Sequence, residues 1–306
     1  MVSRVILSVI VVVAVIVGVL ALDNESLADD SFEGTLELAQ QGDANAQYDL
    51  GFMYYDGQVV TQDYKQALYW YTKAAEQGDA YAQSSLGFMY SNGRGVTQDD
   101  NQAFNWYTKA VEKGHAYAQY DLGTMYATGR GVTQDVKQAV YWYTKAAEQG
   151  FADAQFNLGF SYYYGQGVTQ DYKQAVYWYT KAAEQGDAEA QHNLGFMYEN
   201  GQGVTQDYKQ ALYWYTKAAE QGTARAQNNL GKMYKNGQGV LQDKVYAHMW
   251  YNIAAMNGDD NAPSNRDIIA KGLTPSQLEK AQNLARACMA TNYKAWVYEL
   301  YGPRVC

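Results

Sequence analysis

Shifted by 36 residues, the sequence falls almost on top of itself, and that period limits the chain to one kind of architecture. Leu-Gly recurs at 50/51, 86/87, 122/123, 158/159, 194/195 and 230/231, and a tyrosine at 54, 90, 126, 162, 198 and 234. A tryptophan recurs at 70, 106, 142, 178, 214 and 250, and a glycine at 78, 114, 150, 186, 222 and 258. Six units result, over 43–78, 79–114, 115–150, 151–186, 187–222 and 223–258. Such self-similarity marks a solenoid, in which each unit buries its apolar face only against its neighbours. A length of 306 residues would otherwise suggest about two ordinary domains, and the period overrules it.

Each unit predicts two helices. In the first, Asp43 caps a helix whose apolar positions Ala46, Leu50, Met53 and Tyr54 stand three and four apart. Gly57 ends it. Asp63 with Gln66 three residues on reads as a reciprocal capping box, repeated as Asp99/Gln102, Asp135/Gln138, Asp171/Gln174 and Asp207/Gln210. The helix it opens is expected to bury Ala67, Trp70, Tyr71, Ala74 and Ala75 and to stop at Gly78, placed for a left-handed turn. Between the helices, loops such as Gly-Arg-Gly-Val-Thr-Gln at 93–98 carry one apolar residue, Val96, to fill the space beneath. Gly51 and its equivalents lie inside a helix, where glycine costs about 1 kcal/mol relative to alanine. That cost predicts a close approach, with the Trp or Ala side of the second helix lying on a backbone that has no Cβ.

The pattern A-x3-LG-x2-Y-x2-G-x-GV-x2-D-x3-A-x2-W-x3-AA-x2-G, seen from Ala82 to Gly114 with Val111 for the second alanine, resembles the Sel-one-like repeat, a branch of the tetratricopeptide superfamily. The resemblance covers 43–258 and implies an all-α, right-handed superhelical solenoid of helix-turn-helix repeats. Departures are small: Val59 replaces the second loop glycine, Phe151 and Thr223 replace the capping aspartate, and Asn105 interrupts a column of tyrosines. Residues 32–42 align with a second helix, since Gly42 falls 36 before Gly78, and 23–42 read as an N-terminal capping half-repeat. The tail, 259–306, is similar to the closing segment of bacterial members and reads as a C-terminal cap.

Differences between the repeats give the hint of a site. The most variable columns in the first unit are Asn45, Tyr48, Phe52, Tyr55 and Asp56, which share one helix face. The resemblance implies that this is the concave face on which such solenoids hold extended peptides. The columns read Tyr48, Ser84, Tyr120, Phe156, His192, Asn228 and Phe52, Phe88, Thr124, Phe160, Phe196, Lys232, with Tyr55, Tyr163, Glu199 and Lys235 beside them. They describe an aromatic groove that ends in a basic patch at Arg225, Lys232 and Lys235; the other reading wedges the phenylalanines between units. Exposed aromatics are enriched at interfaces. Charge is also segregated, −14 over 23–222 against +4 over 223–306, which could orient an acidic partner.

The apolar run 5–22 behind Arg4 reads as an export signal cleaved after Ala21 or as a retained inner-membrane anchor, the only membrane contact expected. Either way the chain is expected to be exported, periplasmic or secreted. The cysteines, Cys288 and Cys306, are then candidates for one disulfide, the alternative being two free thiols. A net charge of −9 makes the chain a poor nucleic-acid binder. His115, His192 and His248 have no carboxylate or cysteine at ligand spacing, so neither a metal nor a cofactor is expected. Some cysteine-rich secreted relatives are linked to β-lactamase or penicillin-binding activity; this chain lacks that cysteine pairing and a Ser-x-x-Lys nucleophile, so a hydrolase ranks last. The expected function is a non-enzymatic scaffold for a protein or extended peptide, with a cell-wall glycan as the alternative ligand.

Overall fold

The computed structural model describes residues 32–291 and Tyr293; among these it contains fifteen helices and no strand. Helix α1 covers 32–40. The first three repeats hold α2 (Ala44–Asp56) and α3 (Tyr64–Glu76), α4 (Ala80–Asn92) and α5 (Asp100–Glu112), and α6 (Ala116–Thr128) and α7 (Val136–Glu148). The next three hold α8 (Ala152–Tyr164) and α9 (Tyr172–Glu184), α10 (Ala188–Asn200) and α11 (Tyr208–Glu220), and α12 (Ala224–Asn236) and α13 (Lys244–Met256). Two more follow, α14 (Ala262–Ala270) and α15 (Pro275–Ala290). The chain is an all-α repeat solenoid. The apolar run 5–22 and Cys306, and with it the disulfide, lie outside the described residues, and no described helix is long and apolar enough to cross a membrane.

Contacts divide the chain into two units, one ending at Asp135 and the other beginning at Val136. In the first, α1 closes the start of the array: Ala39 packs with Ala46, Leu50 and Trp70, and Phe32 meets Tyr54 edge to face at 5.9 Å. In the second, α14 and α15 close the end. Ile269, Ala285 and Cys288 join Trp250, Tyr251 and Ile253 in one buried cluster. Burial pushes the Cys288 thiol up to about 11.

Local sequence explains the helix ends. The Asp43 carboxylate accepts from the Ala46 amide at 2.8 Å, and Gly57 turns left-handed at φ 77°. The expected box at Asp63 does not close. Asp63 accepts from the Lys65 and Gln66 amides, but its own amide donates to the Tyr54 carbonyl at 2.9 Å, so nothing is left for the Gln66 side chain to cap. Asp99, Asp171 and Asp207 repeat this arrangement. A reciprocal box does form at Thr274 and Gln277, at the start of α15.

The mid-helix glycines are covered by tyrosine, not by tryptophan or alanine as expected. A Cβ on Gly51, Gly87, Gly159, Gly195 or Gly231 would stand 2.6–2.8 Å from Cδ1 of Tyr71, Tyr107, Tyr179, Tyr215 or Tyr251 respectively. These tyrosines are buried, whereas Trp106, Trp178 and Trp214 are only partly so. The hydroxyls of three of them face small polar side chains of the next repeat, Ser85 for Tyr71, Asp121 for Tyr107 and Asn193 for Tyr179. The rings of Tyr71, Tyr107 and Tyr179 thus lie on one repeat's backbone with their hydroxyls toward the next, whereas Tyr215 donates to Glu199 of its own repeat at 2.8 Å.

A second device is polar. Gln47, on the buried stripe of α2, donates to the Ala39 carbonyl at the end of the preceding helix at 3.0 Å. Gln77 closes the arrangement, donating to Gln47 at 2.8 Å and to the Gly42 carbonyl at 3.0 Å. Gln155 with Gln185 and Gln191 with Gln221 do the same in the second unit, and Gln227 with Asn257 keeps the side-chain pair. These bonds satisfy carbonyls that a helix end leaves orphaned.

Candidate functional site

In the first unit, Tyr48, Phe52, Tyr55 and Phe88 line one cavity of about 390 Å³ with Tyr81, Ser84, Ser85, His115 and Tyr117. The pocket follows from helix periodicity: Tyr48, Phe52 and Tyr55 stand on one face of α2, and Tyr81, Ser84, Ser85 and Phe88 on the matching face of α4. Its floor is the buried ring of Tyr71, 5.6 Å from Tyr48. Its rim is open: Phe52 is 50% exposed and Tyr81 60%.

Arg94 braces two of the lining rings, Tyr55 and Phe88. Its guanidinium lies 5.2–5.7 Å from the ring centres of Phe88, Tyr55 and Tyr64 and donates to the Tyr55 hydroxyl. Cation–π contacts of this kind hold the rings in place. Burial raises the Tyr55 hydroxyl, with the Arg94 charge opposing. His115 sits on the other side, its ring 4.7 Å from Tyr81. Its Nδ1 accepts from the Ala118 amide at 3.3 Å, so the imidazole caps α6, and burial lowers its pKa.

The second unit has a smaller, more polar pocket of about 170 Å³, lined by Tyr163, Tyr164, Tyr179, His192, Asn193, Phe196 and Arg225. His192 is buried, with Nδ1 3.3 Å from Asn193 Oδ1 and Nε2 3.3 Å from Asn229 Nδ2. Burial lowers its pKa, and the Arg225 charge adds to that. Phe156 and Phe160 stand nearby, at 5.8 Å from Tyr179 and 4.4 Å from Tyr164. Tyr120 is half-buried on α6.

The basic patch is electrically matched. Arg225 pairs with Glu189 at 2.6 Å, and Lys232 with Glu199 at 2.7 Å. Glu199 is buried and also accepts from the Tyr215 hydroxyl at 2.8 Å. Lys235, half-buried one turn on, is thus not part of an array of unneutralised cations. Sequence reasoning passed over Ser85, Asp121 and Asn193, the small polar residues that face the tyrosine hydroxyls; their column varies in letter but never becomes apolar. Among the described residues no group of three His, Cys, Asp or Glu could hold a metal ion.

Comparison with known proteins gives the following. The Sel1 repeat pattern matches at 44–79, 80–115, 116–151, 152–187, 188–223 and 224–259. A solved Sel1 repeat protein from Oxalobacter formigenes is 34% identical, covers 77% of this chain and 96% of its own, and superposes with a TM-score of 0.67. The protective antigen c5321 of uropathogenic Escherichia coli, described as displaying an SLR fold, is 33% identical over 90% of this chain and 75% of its own, at a TM-score of 0.38. Cysteine rich protein B of Helicobacter pylori is 32% identical over 44% of this chain and 96% of its own, at a TM-score of 0.34. No curated protein matches the chain.

Proposed function

The chain belongs to the Sel1 repeat family, whose members are mostly non-enzymatic scaffolds for protein–protein interaction, and from that premise we propose that it holds an extended segment of a partner protein by an apolar anchor in the Tyr48–Tyr117 pocket. The observation that carries the reading is the coexistence of a closed aromatic floor with an open aromatic rim. The floor ring of Tyr71 is locked in the core, while Phe52 and Tyr81 stand half in water with nothing among the described residues to cover them. An aromatic side chain buries about 150–250 Å² in such a site, roughly 4–6 kcal/mol of gross transfer free energy at 25 cal/mol per Å². The apolar run 5–22 supports a place in the cell envelope or outside it, by cleavage or by anchoring.

The test is the double variant Phe52→Ala/Tyr81→Ala. Both side chains are exposed enough that the melting temperature is expected to stay within a few degrees. Capture of partners from an envelope extract is expected to fall about thirtyfold or more, since a central aromatic hot spot contributes about 2 kcal/mol or more. A folded variant that still captures every partner overturns the pocket reading. Binding to purified cell-wall sacculi, lost on adding soluble sugar, replaces the protein partner with a glycan stacked on the same rings.

A further inference from the structure

The capping helices contain a cleft of a different character from either aromatic pocket. It has a volume of about 430 Å³ and lies between α13, α14 and α15. Three helices each present one stripe to it: His248 and Asn252 from α13, Arg266 and Ala270 from α14, and Leu278, Gln282 and Arg286 from α15, every step four residues. Residues four apart share a helix face, so the convergence follows from the register of the three helices.

We propose that this cleft binds a small monocarboxylate, gripped at its charged end by Arg266 and Arg286 over the buried His248 imidazole. Two independent observations meet here. The first is an unsatisfied polar atom: His248 is 3% exposed, and its Nδ1 has no hydrogen-bond partner among the described residues. Buried polar atoms without partners are uncommon, and His248 is one of the residues that line the cleft. The second is the charge balance. Arg266 and Arg286 face the single carboxylate of Asp267, and burial together with the Arg266 charge lowers the His248 pKa, which favours the neutral imidazole.

The net local charge of about +1 selects the ligand. One carboxylate neutralises it, whereas a dianionic phosphate would leave a negative excess beside Asp267. Arg266 spends Nε and Nη2 on Asp267 Oδ1 at 3.0 and 2.9 Å, and Nη1 stands 3.5 Å from Asn252 Oδ1. That last contact is long enough to yield to a better acceptor. Arg286 donates to Asn283 through Nη2, leaving its other donors for a charge-assisted pair. Ala270 and Leu278 offer an apolar wall for the uncharged body of the acid.

The experiment uses the full chain and sodium benzoate as the probe, read through the imidazole C–H resonances of His248, identified by their loss in His248→Asn. Benzoate is expected to shift them saturably, with sodium chloride and sodium phosphate at equal ionic strength giving no saturable shift. Arg266→Gln/Arg286→Gln is expected to raise the apparent Kd at least tenfold, and Arg286→Gln alone, at an exposed position, severalfold without lowering the melting temperature. Arg130→Gln, in the first unit, is expected to leave it unchanged. A shift shared equally by chloride, phosphate saturating more tightly than benzoate, or benzoate affinity retained in folded Arg286→Gln and in the double variant would each overturn the proposal.

Discussion

Gly159 lies so close beneath the ring of Tyr179 that a Cβ added to it would meet Cδ1 at 2.8 Å and Cε1 at 3.0 Å. Real Cβ contacts do not come so near, and the ring is pinned by burial, at 1% exposure. Gly159→Ala is therefore expected to destabilise the protein by about 1–2 kcal/mol even after the gain in helix propensity, since overpacking costs about 1–3 kcal/mol. Gly159→Leu is expected to cost several kcal/mol, and Gln166→Ala, on an exposed loop, almost nothing. Denaturant melts of the three, with Gly159→Ala repeated in a Tyr179→Leu background, check this. An alanine penalty that does not shrink in that background would refute the ring as its cause.

The second repeat breaks the glutamine ladder. Where Gln77 and Gln185 donate to Gln47 and Gln155, the corresponding residue is Lys113, and Gln83 Oε1 is left buried without a partner among the described residues. Lys113→Gln is expected to restore both bonds, to Gln83 and to the Gly78 carbonyl, and to stabilise by about 1 kcal/mol. Urea denaturation at pH 7 measures it; an unchanged or lowered midpoint would count against the ladder as a stabilising element.

Ionisation of His192 is expected to weaken the fold in acid. Burial lowers the pKa of His192, reinforced by Arg225 and opposed by Glu189 and Glu199. The unfolded chain therefore binds its proton first, near pH 6.5, so the stability this residue contributes is complete above that pH and is lost as pH falls toward the lower folded value. Asp49, Asp187 and Glu220, raised by burial, act in the opposite sense. The difference between wild type and His192→Gln isolates the histidine: between pH 7 and 5 the variant is expected to lose less melting temperature. Parallel curves would exclude it.

Lys232 and Arg225 are expected to behave differently although both are paired. Glu199 is buried, so Lys232→Met leaves a carboxylate held by Tyr215 alone and is expected to cost about 2 kcal/mol, less than a fully buried pair because the lysine is half exposed. Glu189 is open to water, and Arg225→Met is expected to cost under about 1 kcal/mol. Paired thermal melts at low and high salt decide it. Equal losses would mean that burial of Glu199 has no energetic consequence.

The 36-residue period, the Asp43 and Gly57 caps and the alanine stripes were all legible in the sequence, because each depends on a backbone geometry only a few residue types satisfy. The glutamines were not. Gln47 occupies a buried position among Ala46 and Leu50, and polarity alone assigns it to the surface; the signal was its exact recurrence at 83, 119, 155, 191 and 227. Trp70 and Tyr71 are adjacent in sequence, and periodicity cannot decide which of the two rings covers Gly51. Of the aromatic columns, Tyr48, Phe52, Tyr55 and Phe88 share a cavity that neither spacing nor composition could size, since it depends on the side chains of the following helix, Tyr81 and Ser84 among them. The pairing of Lys232 with Glu199 joins residues 33 apart in sequence and so is invisible to helix-face arithmetic.

The second loop glycine has a further consequence. A Cβ on Gly95 would strike the Tyr64 carbonyl at 2.4 Å, and one on Gly203 the Tyr172 carbonyl at 2.3 Å, so the loop of each repeat abuts main chain of the one before it. Gln83 likewise seeks the carbonyl of Ala75, and Gln191 that of Ala183. Part of the joint between neighbours therefore runs through peptide groups, which every sequence supplies alike. A copy spliced in or out within either unit would find the same main-chain socket waiting, and the side chains it must still match are the tyrosine over the glycine and the small polar residue that faces its hydroxyl.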